Sequence, residues 1–187
     1  MSHSNASVAT LVAENFTLLK DMDISNGVLD LASGNGRNGL FLVEHHIPVI
    51  FADNNEAALE AVNVALSELG TQGELGTTWL VDLEAVGEQP LANKQFDGIL
   101  VFNYLHRPLF SNIRKAVTPG GLVFYETFTE DQRQFGRPTN PDFLLKKQEL
   151  YEALQDWQVL HYFEGEVTNS SNSTKAVASL IARKPEA

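Results

Sequence analysis

The stretch Val28-Leu29-Asp30-Leu31-Ala32-Ser33-Gly34-Asn35-Gly36-Arg37-Asn38-Gly39 constrains the fold of this chain more than any other part of it. Val28, Leu29 and Leu31 make a short apolar run suited to a buried strand. The chain must then turn sharply through residues with little or no side chain. A helix beginning at about Arg37 points unpaired N–H groups at the same place. Glycine admits positive φ and lets a ligand come close to the backbone, so strand, glycine turn and helix start together prepare a seat for something flat or charged.

Gly34, Gly36 and Gly39 spell G-x-G-x-x-G, the dinucleotide fingerprint. Asp30, on the strand just before the turn, points to a different ligand. A pyrophosphate is repelled by a nearby carboxylate, whereas a cationic head is attracted to it. S-adenosylmethionine carries an ammonium and a sulfonium beside an adenosine, and so suits this acid better than NAD does. The run D-L-A-S-G-N-G-R-N-G-L-F-L, Asp30 to Leu42, resembles the first motif of class I S-adenosylmethionine-dependent methyltransferases, particularly the small tellurite-resistance type. Ala32 departs from the pattern by standing where the family has glycine. Alanine tolerates positive φ poorly, so a local difference in the turn is expected there.

At 187 residues the chain suits one domain with a proper core, over residues 1–187, and is short for two. No span is apolar enough to cross a membrane. The N-terminal region, with Glu14, Lys20 and Asp21 around short apolar pieces, lacks the basic start and apolar centre of a secretory signal. A cytoplasmic location is therefore expected, as a monomer or homodimer. The absence of cysteine excludes disulfides, thiolate metal sites and cysteine nucleophiles, and the sequon Asn172-Ser173-Thr174 is read as chance. Acidic residues number 24 against 13 basic, a formal net charge of −11, which argues against nucleic acid as a partner. A small cluster of Arg133, Arg137, Lys146 and Lys147 reads as a local anion pocket.

Residues 7–20 carry Val8, Leu11, Val12, Phe16 and Leu19 at helical spacing, which predicts an amphipathic helix that packs on the sheet or caps the ligand, within a helical N-terminal segment of residues 1–27. After the glycine turn a helix runs to His45-His46. Adjacent histidines face different ways on a helix, so they read as helix-end residues and no metal site is expected. A second strand over 48–52 delivers Asp53, 17 residues after Gly36, where α/β nucleotide sites place a carboxylate on the ribose hydroxyls. Two such charge-assisted hydrogen bonds contribute roughly 1.5–3 kcal/mol each. The competing reading is that Asp53 or Asn54 caps the next helix.

Thr77 to Leu83 alternates well enough for a third strand ending in Val81-Asp82-Leu83, and Glu84 to Gln95, broken by proline and glycine, is an edge connection. On physical grounds Asp82 is an acid at a strand's carboxyl end or a loop cap; the methyltransferase resemblance implies that Asp82 with Leu83 contacts the adenine. Phe96 to Phe102 is the fourth strand, and its exit, Asn103-Tyr104-Leu105-His106-Arg107-Pro108, lies where substrate should meet cofactor in an open α/β sheet. The family's N/D-P-P-Y motif for methylating base amino groups belongs at this place, and the present sequence lacks both prolines. His106 is either a base or orienting group, or an ordinary loop residue.

A short helix around Ile113 and Val117 is expected to stop at Pro119-Gly120-Gly121, ahead of a fifth strand that exits at Glu126-Thr127-Phe128. The polar residues 129–140, with Phe128 and Phe135 as apolar cover and Arg137 as an anion fork, read as a lid whose reach extends over 129–147, or as a loose loop. Asn103 to Pro108, Glu126 to Phe128 and Phe135 to Pro141 together resemble a branch of the same family. Glu149 to Asp156 is a helix. Residues 158–167 and 175–183 are two strands joined by a polar hairpin loop, which puts one antiparallel strand into a parallel sheet.

The expected architecture is an α/β three-layer sandwich, with a seven-stranded mostly parallel sheet containing one antiparallel strand, a Rossmann-like methyltransferase fold. The resemblance implies that S-adenosyl-L-methionine is held by Asp30, Ala32, Gly34, Gly36, Asp53, Asn54, Asp82, Leu83 and Asn103. A small-molecule acceptor, anionic if Arg137 meets it, is assigned to Tyr104, His106, Arg107, Glu126 and Arg137. Two rivals stand beside this reading. One is an NAD(P)-dependent oxidoreductase; the other is a module that binds S-adenosylmethionine without turnover.

Overall fold

The computed structural model of the protein describes residues 7–169 and 172–186; residues 1–6 of the expected N-terminal segment, Ser170 and Ser171 of the hairpin loop, and Ala187 lie outside the described residues. The apolar run before the glycine turn forms β1 (Val28–Leu31), near the middle of one sheet. Its companions are β2 (Val49–Asp53), β3 (Gly76–Leu80), β4 (Phe96–Phe102), β5 (Val117–Phe128), β6 (Gln158–Thr168) and β7 (Thr174–Arg183). The order across the seven-stranded sheet is β3-β2-β1-β4-β5-β7-β6. Strands β1 to β5 pair in parallel, and β7 runs antiparallel to both β5 and β6. The terminal hairpin thus inserts one reversed strand, as the sequence pattern requires.

Period-two alternation divides the core. Leu29, Ile99, Val101, Val123, Tyr125, Leu180 and Ala182 pack with α5 (Leu109–Ala116) and α6 (Glu149–Leu154). Val28, Phe51, Leu100, Leu122, Phe124 and Ile181 pack on the other face, with α1 (Thr10–Asn15), α2 (Thr17–Lys20), α3 (Arg37–Glu44) and α4 (Glu56–Glu68). β1 and β4 are buried at every residue, which is why both read as nearly unbroken apolar runs. Each fully buried leucine or isoleucine contributes about 1.5–3 kcal/mol relative to exposure. Among the described residues no helix is long and apolar enough to cross a membrane.

Three local features differ from expectation, while the histidine pair lies at the end of α3 as expected. The N-terminal helix is broken at Phe16 into α1 and α2, and the Phe16 ring packs edge-on to Phe41 and against His45. His45 and His46 find separate partners, the Phe41 carbonyl and Gln72. β3 ends at Leu80; only the Val81 N–H continues the ladder, to the Asp53 carbonyl, so Asp82 lies in the exit loop. Pro119-Gly120-Gly121 does not precede the fifth strand but lies inside it: α5 ends at Ala116, β5 starts at Val117, and the glycines pair with Lys184 while the register to β4 shifts. Gly120 takes φ +76° there, and a Cβ on Gly121 would stand 2.9 Å from the Asp97 carbonyl oxygen.

The ends of the adjacent strands β1 and β4 both leave the sheet through left-handed residues, Ala32 at φ 54° and Asn103 at φ 54°. This divergence opens a crevice at the carboxyl edge of the sheet. The alanine bears steric strain that glycine would not. Ala32→Gly is expected to raise stability by about 1 kcal/mol, the relief of left-handed strain less the backbone entropy of glycine, in urea denaturation. A destabilised variant would mean that the alanine methyl contributes more through packing than its backbone costs.

Candidate active site

Asp30 is 3% exposed, and its Oδ2 accepts the Gly39 N–H at 2.9 Å. That bond spans the turn, joining the strand to the first turn of α3. It forms because residue 39 lacks a side chain: a Cβ there would overlap the Phe51 ring and stand 2.9 Å from Asp30 Oδ2. Burial pushes the Asp30 carboxyl up to about 7, and the Gly39 N–H and the Arg37 charge only partly oppose it. Asp53 supports the same turn from β2, its Oδ2 accepting the Gly34 N–H at 2.8 Å and its Oδ1 the Asn55 N–H at 2.9 Å. The cap of α4 comes from Asn55, whose side chain accepts from the Ala58 N–H, and not from Asp53 or Asn54.

Around this turn lies a cavity of about 800 Å³ whose walls include Asp30, Ala32, Ser33, Gly34, Asn103 and, from the N-terminal segment, Ser7 and Val8. Leu11, Val12 and Leu19 of the N-terminal segment pack on the sheet as expected, and Ser7 and Val8 border the cavity. Among the described residues the buried Ser33 hydroxyl has no hydrogen-bond partner, and a Cβ on Gly34 would meet no atom within 4 Å. A second cavity, of about 250 Å³, is walled by Ala32, Asp53, Asn54, Val81, Asp82, Leu83, Glu84 and Tyr104. Asp82 Oδ1 also accepts the Glu84 N–H at 2.9 Å, so it caps its loop and borders the cavity at once.

A third cavity, of about 510 Å³, is lined by Glu84, Asn103, Tyr104, Leu105, Phe128, Arg137, Pro138 and Phe143. Ala32, Asn103, Tyr104 and Glu84 are each shared between two of the three chambers, so the chambers adjoin. The Tyr104 hydroxyl is buried beside the Glu84 carboxylate. Burial pushes its ionisation well above the usual phenol range, and the Glu84 charge pushes the same way. Its loop is fixed from below, because the Tyr125 hydroxyl donates to the Tyr104 carbonyl at 3.0 Å. His106 Nδ1 lies 3.9 Å from Glu84 Oε2.

Of the expected acceptor residues, Tyr104 and Arg137 line this chamber, while His106, Arg107 and Glu126 do not. Arg107 is engaged elsewhere: it donates to both Glu149 carboxylate oxygens at 2.6 and 2.8 Å, to the Asp142 carbonyl and to the Leu144 carbonyl. Glu126 pairs with Lys175 at 2.8 Å. The Arg107 bonds, the Thr129 N–H to the Ala176 carbonyl, the Leu145 N–H to the Phe128 carbonyl and the Ala176 N–H to Gln132 Oε1 tie residues 129–147 to the sheet, contrary to a loose loop, whereas Glu126–Lys175 joins β5 to β7. Phe143, not Phe135, supplies the aromatic wall from this segment. Glu84 was hidden in the proline- and glycine-broken connection; its only sequence signal is that it closely follows Asp82 at a strand exit.

The sheet order, the reversed seventh strand and the crevice beside β1 define the Rossmann-like methyltransferase fold. A Methanosarcina mazei S-adenosylmethionine-dependent methyltransferase structure superposes over 97% of this chain and 100% of its own, with a TM-score of 0.69 at 13% identity. The glycopeptide N-methyltransferase MtfA in complex with S-adenosylmethionine matches over 96% of both chains, TM-score 0.65, at 17% identity. At these identities the likeness is one of fold.

Residues 9–177 match the family described as Tellurite resistance protein TehB, and the chain belongs to that family. A curated relative from Haemophilus influenzae, named Probable S-adenosyl-L-methionine-dependent methyltransferase TehB, is 29% identical over 173 residues, 84% of this chain and 57% of its own length. The crystal structure of TehB from Haemophilus influenzae covers 92% of this chain and 62% of that chain, with a TM-score of 0.68 at 25% identity. The chain thus spans less than two thirds of the length of these relatives.

Arg107 fastens the 129–147 segment to the β4 exit through the Asp142 and Leu144 carbonyls, and its pairing with Glu149 holds the guanidinium in place for it. Burial alone would raise the Glu149 carboxyl, but the Arg107 guanidinium and the Lys146 N–H carry it below its ordinary 4.5. A depressed folded value stabilises above the unfolded value and is lost as pH falls through the folded one, so the fastening weakens below about pH 4.5. Arg107→Ala is expected to lower stability by about 1–2 kcal/mol, allowing for partial exposure of the pair, and to speed proteolysis within 129–147. Unchanged cleavage there would show that Gln132 and the β-bridge suffice.

Proposed function

We propose that the protein transfers the methyl group of S-adenosylmethionine to a small-molecule acceptor. The observation that carries this reading is the buried Asp30 carboxylate bound to the Gly39 N–H. The amide that a dinucleotide pyrophosphate would seek at the start of α3 is already taken by a carboxylate, which repels an anion and attracts a cation. The free Ser33 hydroxyl and the open space over Gly34 fit a polar, close-lying ligand, and the family's membership supports the same cofactor.

When bound, the sulfonium supplies an activated methyl carbon; the acceptor's lone pair forms the new bond as the carbon–sulfur bond breaks, the electron pair stays on sulfur and the acceptor loses a proton. Asp30 with Ser33, Gly34, Gly36 and Asn103 holds the amino-acid end. Asp53 and Asn54 receive the ribose, and Asp82 with Leu83 borders the adenine, beside the left-handed turn of Ala32. Tyr104 and Arg137 face the acceptor, with His106 behind Glu84 as an orienting group. Arg107 acts as a positioning residue, holding the 129–147 wall through the Asp142 and Leu144 carbonyls, and Glu126 braces β5 against β7 through Lys175. Alignment and exclusion of water are what these residues contribute, and no covalent nucleophile is required.

Calorimetry with S-adenosylmethionine, its demethylated product and NAD(H) tests this reading. The first two are expected to bind and NAD(H) is not; binding of NAD(H) alone would overturn the proposal in favour of an oxidoreductase. Asp53→Ala should weaken cofactor binding about ten- to a hundredfold, since it removes hydrogen bonds to a charged acceptor.

Because the folded value of Asp30 lies above its ordinary 3.8, its contribution to the stability of the ligand-free protein is fully present below about pH 4 and is lost as pH rises through about 7. A cation binds the ionised form. Affinity is therefore expected to fall about tenfold per pH unit below 7, and Asp30→Asn to bind weakly with a flat profile. A flat profile in the unaltered protein would disconnect Asp30 from the ligand's charge.

A further inference from the structure

We infer that the acceptor is an organic acid with a flat apolar body and a hydroxyl or amino group, not a bare inorganic oxyanion. This rests on the methyl-transfer reading and specifies its acceptor side.

The third chamber is of organic-ligand size, about 510 Å³, and most of its wall is apolar: Leu105, Phe128, Pro138, Phe143 and the Tyr104 ring. An oxyanion of a few atoms would leave most of that wall uncovered and would lose its hydration to carbon surfaces. Phe143 is 50% exposed, and a ring laid against it would remove that surface from water.

Two opposite charges interrupt the apolar wall. The Arg137 guanidinium has no hydrogen-bond or ion-pair partner among the described residues, yet its backbone is held in place. The Arg137 carbonyl accepts from Gln132 Nε2 at 3.1 Å, and Gln132, 4% exposed, accepts the Ala176 N–H of β7 through its Oε1 at 2.9 Å. A cation anchored to the sheet and lacking a counter-ion is a fork for a carboxylate.

Glu84 comes from a different element, the exit of β3, and borders both this chamber and the one assigned to the adenosine side. At that shared border it is the carboxylate that an acceptor's O–H or N–H reaching toward the adenosine side would meet. As the heteroatom–methyl bond forms and the carbon–sulfur bond breaks, the proton of that O–H or N–H passes to the Glu84 carboxylate. A bare oxyanion that has no proton to give gains nothing from Glu84 and is repelled by it. One ligand satisfies both charges when it carries an anion at one position and a proton-bearing nucleophile at another, across a ring system.

The probes are 6-hydroxy-2-naphthoate, 2-naphthol and sodium tellurite, each titrated by calorimetry into protein saturated with the demethylated cofactor. The naphthoate is expected to bind more tightly than 2-naphthol, and tellurite neither to bind nor to displace it. Arg137→Ala should weaken the naphthoate about ten- to a hundredfold while leaving 2-naphthol unchanged, and Phe143→Ser should weaken both. Displacement by tellurite, equal affinity for the two aromatics, no aromatic binding, or indifference to Arg137→Ala would each overturn the inference. Binding of the demethylated cofactor reports folding in every variant and stands independent of these results. Its failure in the unaltered protein would sink the methyl-transfer reading instead.

Discussion

The hydrogen bond from the Gly39 N–H to the buried Asp30 carboxylate is the constraint around which the site is assembled. It requires three things at once: an acid on a strand with no water around it, a helix start aimed at that acid, and no Cβ where the two meet. Phe51 fills the remaining space so closely that even alanine at 39 would collide with it. The turn between, with Gly34 and Gly36 at positive φ, follows from that fixed join. An acid kept at the edge of ionisation by burial is costly to the folded chain. Its retention in the middle of a core strand is understandable if it meets a cation.

The two ends of the sheet are built for different purposes. At the amino edge, Asp97 is 5% exposed and fully employed, accepting from the Asn26 N–H, the Asn26 side chain and the Thr118 hydroxyl, so that the loops there are pinned. At the carboxyl edge, among the described residues, the Ser33 hydroxyl is left without a partner and Arg137 without a counter-ion, and Ala32 and Asn103 are held in left-handed conformations. Unmet polar groups among these thus gather at the carboxyl edge, whereas left-handed residues occur at both edges, His46 and Asn93 preceding β2 and β4.

Much of this was legible in the sequence because it depends on short spacings. The glycine turn, the apolar run of β4, Asp53 at the end of β2 and the terminal hairpin are all local patterns. What escaped depends on partners far along the chain. Arg107 reads as a free cation in a substrate loop until Glu149, 42 residues away, is brought to it by the fold. The break at Phe16 is set by Phe41 and His45, and Pro119-Gly120-Gly121 stays inside a strand because Lys184 returns to pair with it. Glu84 was obscured by the irregular composition of its own segment, although its position after β3 puts it on the wall of two chambers.

Those shared walls have a thermodynamic consequence. Tyr104 and Glu84 border both the chamber beside Asp53 and Asp82 and the apolar one, so neither chamber has an environment of its own. An occupant that shifts the ring or the carboxylate on one side alters the packing and the field on the other. By linkage, whatever free energy the first occupant adds to binding of the second, the second returns in full to the first. The two halves of the site are therefore a single cooperative unit joined through one tyrosine and one glutamate.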